Sequence, residues 1–275
     1  MERARALSAF RWGWPLTLPM CTNLWPLPPV FSTAARMRFE ARNPECRIQI
    51  SDYRIRGQSV KKFIGAQHHF HENQNALDWA NRFVPTPERL QLFDTIIQQI
   101  GKTSLPAPHI VELGIGPGYL AERLLKKIPN ITYEGIDFST PMLNLAATRL
   151  AAHMSRIKFT QADLVNEDWG AKVSRPVGAI ISTWALHDLG SQENTRKVYQ
   201  TCHRLMASGG ILLNGDFVKP EGTRHDFEAG RFPVSRHLEL LQEVGFRGAH
   251  CLIFLEQELE NPTSAQNYAC MQAIV

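Results

Sequence analysis

The stretch HIVELGIGPGYLAERLLKK, His109 to Lys127, decides the fold. An apolar run ends at Glu112, and glycines follow at alternate positions: Gly114, Gly116 and Gly118. A helical pattern begins at once, with Leu120, Leu124 and Leu125 on one side and Glu122, Arg123 and Lys126 on the other. Glycine at this spacing lets backbone approach a ligand with no Cβ in the way. The helix start beyond it offers unpaired N–H groups and positive dipole. Strand, glycine turn and helix predict the first half of a nucleotide-type site in an α/β sheet. A dinucleotide fingerprint wants its third glycine at position 119, which is Tyr119.

The pattern here is E-x-G-x-G-x-G, from Glu112 to Gly118, and it resembles motif I of the class I S-adenosylmethionine-dependent methyltransferases. Three further segments fall in the order this resemblance requires. Ile131 to Asp137 predicts a second strand ending in a carboxylate, 19 residues past Gly118. The resemblance makes Asp137 the acid that accepts hydrogen bonds from a ribose diol. Ser139 and Thr140, before Pro141, already suffice to cap the next helix. Ile157 to Leu164 predicts a third strand, and the resemblance sets Asp163 against the adenine amino group with Leu164 beside the ring. Val177 to Thr183 predicts a fourth strand, running into Trp184-Ala185-Leu186-His187-Asp188-Leu189. By resemblance Glu112, Gly114, Gly116, Gly118, Asp137, Phe138, Met142, Asp163, Leu164 and Thr183 bind S-adenosyl-L-methionine, the co-substrate. The fold implied is α/β: a Rossmann-like seven-stranded, mostly parallel sheet with helices on both faces, an antiparallel last strand and a helical N-terminal lid.

The second half fits that ending. Ser191 to Met206 predicts a helix with Val198, Cys202 and Leu205 facing inward, stopped by Gly209-Gly210. Ile211 to Phe217 predicts the fifth strand. A charged loop, Lys219 to Pro233, is long enough to be functional. Leu238, Leu241 and Val244 mark another helix. Cys251 to Phe254 and Tyr268 to Ile274 predict the last two strands.

At 275 residues the chain can bury one sizeable core plus a small added unit. Its net charge of +4 is concentrated: residues 1–50 hold seven Arg and three Glu, and the remainder balances at 23 basic and 23 acidic side chains. That balance argues against a phosphate-backbone partner. Prolines 15, 19, 26, 28 and 29 break the apolar run from Trp12 to Phe31, so no membrane span is expected. Residues 1–45 are expected to form a tail, either a targeting-like segment or an over-extended start before Met37. The expected location is cytoplasmic, with organelle import through the arginine-rich start as the other reading. The five cysteines, Cys21, Cys46, Cys202, Cys251 and Cys270, form no C-x-x-C pair, which predicts free thiols and excludes a cysteine-held iron–sulfur cluster.

Residues 46–105 are expected to form the lid, ahead of the methyltransferase domain over residues 106–275. Trp79 to Phe83 and Glu88 to Ile100 predict helices there. Gln67 to Asn73 includes His68, His69 and His71, read either as a polar lid segment, a substrate contact or an incomplete metal set; no metal is assigned. Polar methyl transfer needs position and desolvation, and an acceptor hydroxyl or acidic carbon also needs a base. His187 is the candidate catalytic base, with its alternative as a structural histidine bonded to Asp188 or backbone. Asp216, Tyr53 and His71 are weaker candidates.

Absences narrow the acceptor. No Asn/Asp-Pro-Pro-aromatic motif follows the fourth strand, where the chain reads Ser182-Thr183-Trp184-Ala185; no Pro-Cys pair exists; no paired glutamates precede Glu193. A small organic acceptor remains, with nucleic acid disfavoured. Two other readings stay open: a binding or regulatory protein that keeps the ligand without turnover, and a nicotinamide-dependent oxidoreductase.

Overall fold

The apolar run at Ile110-Val111 becomes an interior strand of a seven-stranded sheet in the computed structural model, which describes residues 69–275. All of them lie in one compact unit. The expected tail, Tyr53 and His68 lie outside the described residues. Strand β1 (His109–Leu113) pairs in parallel with β2 (Thr132–Asp137) on one side and β4 (Val177–Thr183) on the other. β3 (Ile157–Gln161) flanks β2, and β5 (Met206–Phe217) flanks β4, both in parallel. β7 (Tyr268–Ile274) runs antiparallel between β5 and β6 (Arg247–Leu255), giving the order β3-β2-β1-β4-β5-β7-β6. The expected sheet and its antiparallel closing strand are therefore present. The chain reverses its winding beside β1, and in open α/β sheets that switch point is where a ligand crevice opens at the carboxyl ends of the strands.

Among the described residues two helices precede the sheet: α1 (Asn73–Arg82) and α2 (Pro87–Lys102). They divide the work. A single 3-10 turn, His69–His71, leads into α1 beside the cavity mouth. α2 is core. Thr86 caps it by accepting the Arg89 N–H, Pro87 opens it, and Leu92, Phe93, Ile96, Ile97 and Ile100 are buried. Each such side chain stabilises the fold by about 1.5–3 kcal/mol, so α2 is anchored to the sheet. A Cβ on Gly215 of β5 would stand 2.9 Å from Leu92. Four helices follow: α3 (Tyr119–Lys127), α4 (Thr140–Arg149), α5 (Gln192–Leu205) and α6 (Val234–Glu243).

One boundary differs from the sequence pattern. The fifth strand, expected over Ile211 to Phe217, starts at Met206: the helix expected over Ser191 to Met206 ends at Leu205, and Met206 already pairs with Val177 in the sheet. The reason is the end of β7. The Gly209 N–H bonds the Val275 carbonyl and the Val275 N–H bonds the Gly210 carbonyl, each at 3.0 Å, so sheet pairing claims the glycines that would have capped a helix.

Among the described residues no helix is long and apolar enough to cross a membrane, and no group of three or more His, Cys, Asp or Glu is placed to hold a metal. Cys202, Cys251 and Cys270 are free thiols.

Candidate active site

The three glycines after β1 are glycine for three different reasons. A Cβ on Gly114 would lie 2.4 Å from the Ala185 Cβ, so this residue lets the turn close against the loop after β4. Gly118 takes φ +80° at the start of α3, packed against Leu150 and Ala146. Gly116 has φ +51° and nothing within 4 Å of where its Cβ would be. It borders a cavity of about 260 Å³, so bare backbone faces the space where a ligand would lie.

Asp137, the last residue of β2, is tied to that turn. Its Oδ2 accepts the Gly116 N–H at 2.9 Å and its Oδ1 accepts the Ser139 N–H at 2.9 Å. Burial raises its carboxyl to about 6, against opposition from those backbone donors. Ser139 caps α4 by accepting the Met142 N–H, which leaves Asp137 uncommitted to that helix.

Of the residues named from the sequence, Gly114, Gly116, Asp137, Phe138, Met142, Leu164, Thr183 and His187 line this one cavity. Glu112, Gly118 and Asp163 do not. Glu112 is buried, accepts the Tyr133 hydroxyl, and is lifted to about 8 chiefly by burial, so it is a neutral acid inside the sheet at pH 7. Asp163 has no exposed surface. Its Oδ1 accepts the N–H groups of Val165 and Asn166 at 2.7 and 3.1 Å, and its Oδ2 accepts the Asn166 Nδ2 at 2.7 Å. These bonds tie it to the turn after β3, between Ala162 and Leu164, which both line the cavity.

His187 leaves the loop after β4 on a short 3-10 turn, Leu186–Leu189. Its Nδ1 lies 2.8 Å from Asp216 Oδ1, and its Nε2 lies 3.3 Å from Asp188 Oδ1. Asp216 is fully buried in β5 and also accepts the His187 and Phe217 backbone N–H groups. Burial works to lower the His187 pKa, but the two carboxylates outweigh it and raise the value above 6.5. His187 has the contact to Asp188 that a structural histidine would make, and it also lines the cavity. Asp216, a weaker candidate for base, is the residue that orients it. His71 packs edge-on to Phe138 at 5.3 Å and does not line the cavity.

The opposite wall was not read from the sequence. Phe70, Trp79, Phe83 and Arg89 come from the helices before the sheet, Trp184 and Phe217 from strand ends, and Ser264 and Ala265 from the loop before β7. Trp184 adopts φ +49°, an uncommon conformation for a bulky side chain, and packs among Phe83, Phe93 and Tyr268. The available signal was the density of aromatic residues between 70 and 93.

Residues 110–210 match the family model of a methyltransferase domain. Over 111 residues the chain is 32% identical to an uncharacterized methyltransferase of Mycobacterium bovis, a match covering 40% of this chain and 51% of that one. The chain spans about half the length of the curated relatives it matches. Among solved structures, an O-methyltransferase family protein from Burkholderia thailandensis has a TM-score of 0.56 at 15% identity, over 84% of this chain and 70% of its own. Phosphoethanolamine N-methyltransferase 2 of Haemonchus contortus, solved with S-adenosyl-L-methionine, has 0.58 at 14%, over 79% and 60%. Residues 110–210 are thus similar to a methyltransferase domain, and the sheet order is the fold shared with these methyltransferase structures.

Proposed function

We propose that this protein moves the methyl group of S-adenosyl-L-methionine to an O, N or C nucleophile of a small organic acceptor. The supporting observation is that one cavity is bordered by the open face of Gly116, the carboxylate of Asp137 and the imidazole of His187. A sulfonium methyl is already activated, so the protein's task is to place two reactants and exclude water. Gly116 gives the cofactor room against backbone, and Asp137 accepts from its ribose diol. Phe138, Met142 and Leu164 supply apolar walls. His187 receives the acceptor's proton at Nε2. Asp216 holds the Nδ1–H, fixing the tautomer that leaves Nε2 with its lone pair, and Asp188 stabilises the imidazolium that forms. The even charge balance outside the first 50 residues supports a small acceptor over a nucleic acid. Titration calorimetry with S-adenosyl-L-methionine and S-adenosylhomocysteine, followed by a screen with labelled cofactor on cell extract, tests the reading. Absence of binding removes the cofactor assignment; binding with no labelled product from any extract leaves a binding protein.

A further inference from the structure

Arg89 is the cation of the cavity wall, and its guanidinium has no hydrogen bond or ion pair among the described residues. It is half-buried, lies 4.2 Å over the Phe83 ring and 5.7 Å from the Trp184 ring centre. The two rings stand 71° apart and hold the guanidinium in an aromatic corner, where its N–H groups make no hydrogen bond among the described residues. Two more donors beside it have no hydrogen-bond partner among the described residues: the Trp184 Nε1–H and the Tyr268 hydroxyl, whose rings meet edge-on at 5.6 Å. An unmet buried donor costs about 1–3 kcal/mol. Burial lowers the Arg89 pKa, with Tyr268 and Glu256 acting against it, and Glu256 forms no ion pair with it among the described residues. Aromatic surface then runs from Arg89 to the base: Trp184 lies 6.3 Å from Phe217, and Phe217 lies 5.1 Å from His187.

We propose that Arg89 binds an oxyanion, carboxylate or phosphate, on the methyl acceptor, while the acceptor's nucleophile reaches His187 across the Trp184–Phe217 surface. This rests on the methyl-transfer reading and adds the acceptor's charge class to it. A guanidinium fork matches a carboxylate with two parallel hydrogen bonds, and a phosphate nearly as well.

The test titrates benzoate, phenyl phosphate and benzamide into the full-length protein loaded with S-adenosylhomocysteine. At least one anion should bind roughly tenfold or more tighter than neutral benzamide, the effect of one charge-assisted hydrogen bond. Arg89→Gln should erase that preference and leave S-adenosylhomocysteine affinity within about twofold, a readout that also reports folding. Arg89→Lys keeps charge and stem but loses the fork, so benzoate should suffer more than phenyl phosphate. The stronger anion in wild type names the group. The proposal is overturned by equal binding of benzamide, by no binding of either anion, or by a preference that survives Arg89→Gln. It is also overturned if Arg89→Gln weakens S-adenosylhomocysteine instead, since the carboxylate recognised would then be the cofactor's. If wild type fails to bind S-adenosylhomocysteine, the methyl-transfer reading falls. The same titrations on the ligand-free protein still decide the role of Arg89.

Discussion

Asp216 grips His187 twice: its Oδ1 lies 2.8 Å from the ring Nδ1, and its Oδ2 accepts the His187 backbone N–H at 2.9 Å. A fully buried carboxylate therefore fixes both the position and the tautomer of the imidazole. The same carboxylate raises the His187 pKa against the pull of burial. A base must be neutral to accept a proton, so methyl transfer should climb as pH rises through a midpoint above 6.5. Asp216→Asn removes the charge, leaves burial less opposed, and should move that midpoint to lower pH. His187→Ala should cut kcat by about 10²–10⁴ with cofactor affinity unchanged. Rate–pH profiles of wild type and Asp216→Asn with coincident midpoints would remove Asp216 from this role.

The glycine turn separates architecture from binding. Gly114→Ala drives a Cβ against Ala185 and should destabilise the fold. Gly116→Val meets open space, so its stability cost is mainly the left-handed backbone, about 1–2 kcal/mol. Its branched side chain should nevertheless abolish S-adenosylhomocysteine binding. Urea unfolding and calorimetry on the two variants check the contrast. Normal binding by Gly116→Val would make that glycine architecture alone.

The half of the site that local chemistry builds was legible in the chain. Gly114, Gly116 and Asp137, which line the cavity, announce themselves because turn, strand end and helix start are contiguous, and their spacing is the constraint. Asp163 is harder to read, because an acid after a strand has two uses; the sequence does not announce that Asn166, three residues on, bonds it in a turn. Gly209-Gly210 misled because their backbone partner, Val275, is 65 residues away. Arg89, Trp184 and Phe217 meet only through the sheet's topology. No periodicity along the chain marks such a wall, since each member sits on an element with its own packing reason.

Asp137 predicts how cofactor binding responds to acid. Its carboxyl, raised to about 6 by burial, is mostly ionised at neutral pH, the form in which the proposed function has it accept from the ribose. Protonation below 6 withdraws that acceptor, so S-adenosylhomocysteine affinity should fall as pH drops through this range. Asp137→Ala should weaken binding by about 1–3 kcal/mol and flatten the dependence. Calorimetry at several pH values decides it; an unchanged dissociation constant would strike Asp137 from the site.

Glu112 makes the opposite kind of claim, about stability. Burial first, then the nearby Asp137 charge, lifts its carboxyl from 4.5 to about 8, with the Tyr133 hydroxyl acting against them. Between those values the folded chain holds a proton that the unfolded chain releases. The associated stability is thus complete below about 4.5 and is lost as pH rises through 8. Glu112→Gln keeps the shape and an acceptor for Tyr133 but cannot ionise. The variant should gain on wild type by on the order of 3 kcal/mol between about pH 5 and pH 9. Urea unfolding at both ends measures the gap, and parallel stability curves for the two proteins would mean that Glu112 is ionised in the native sheet after all.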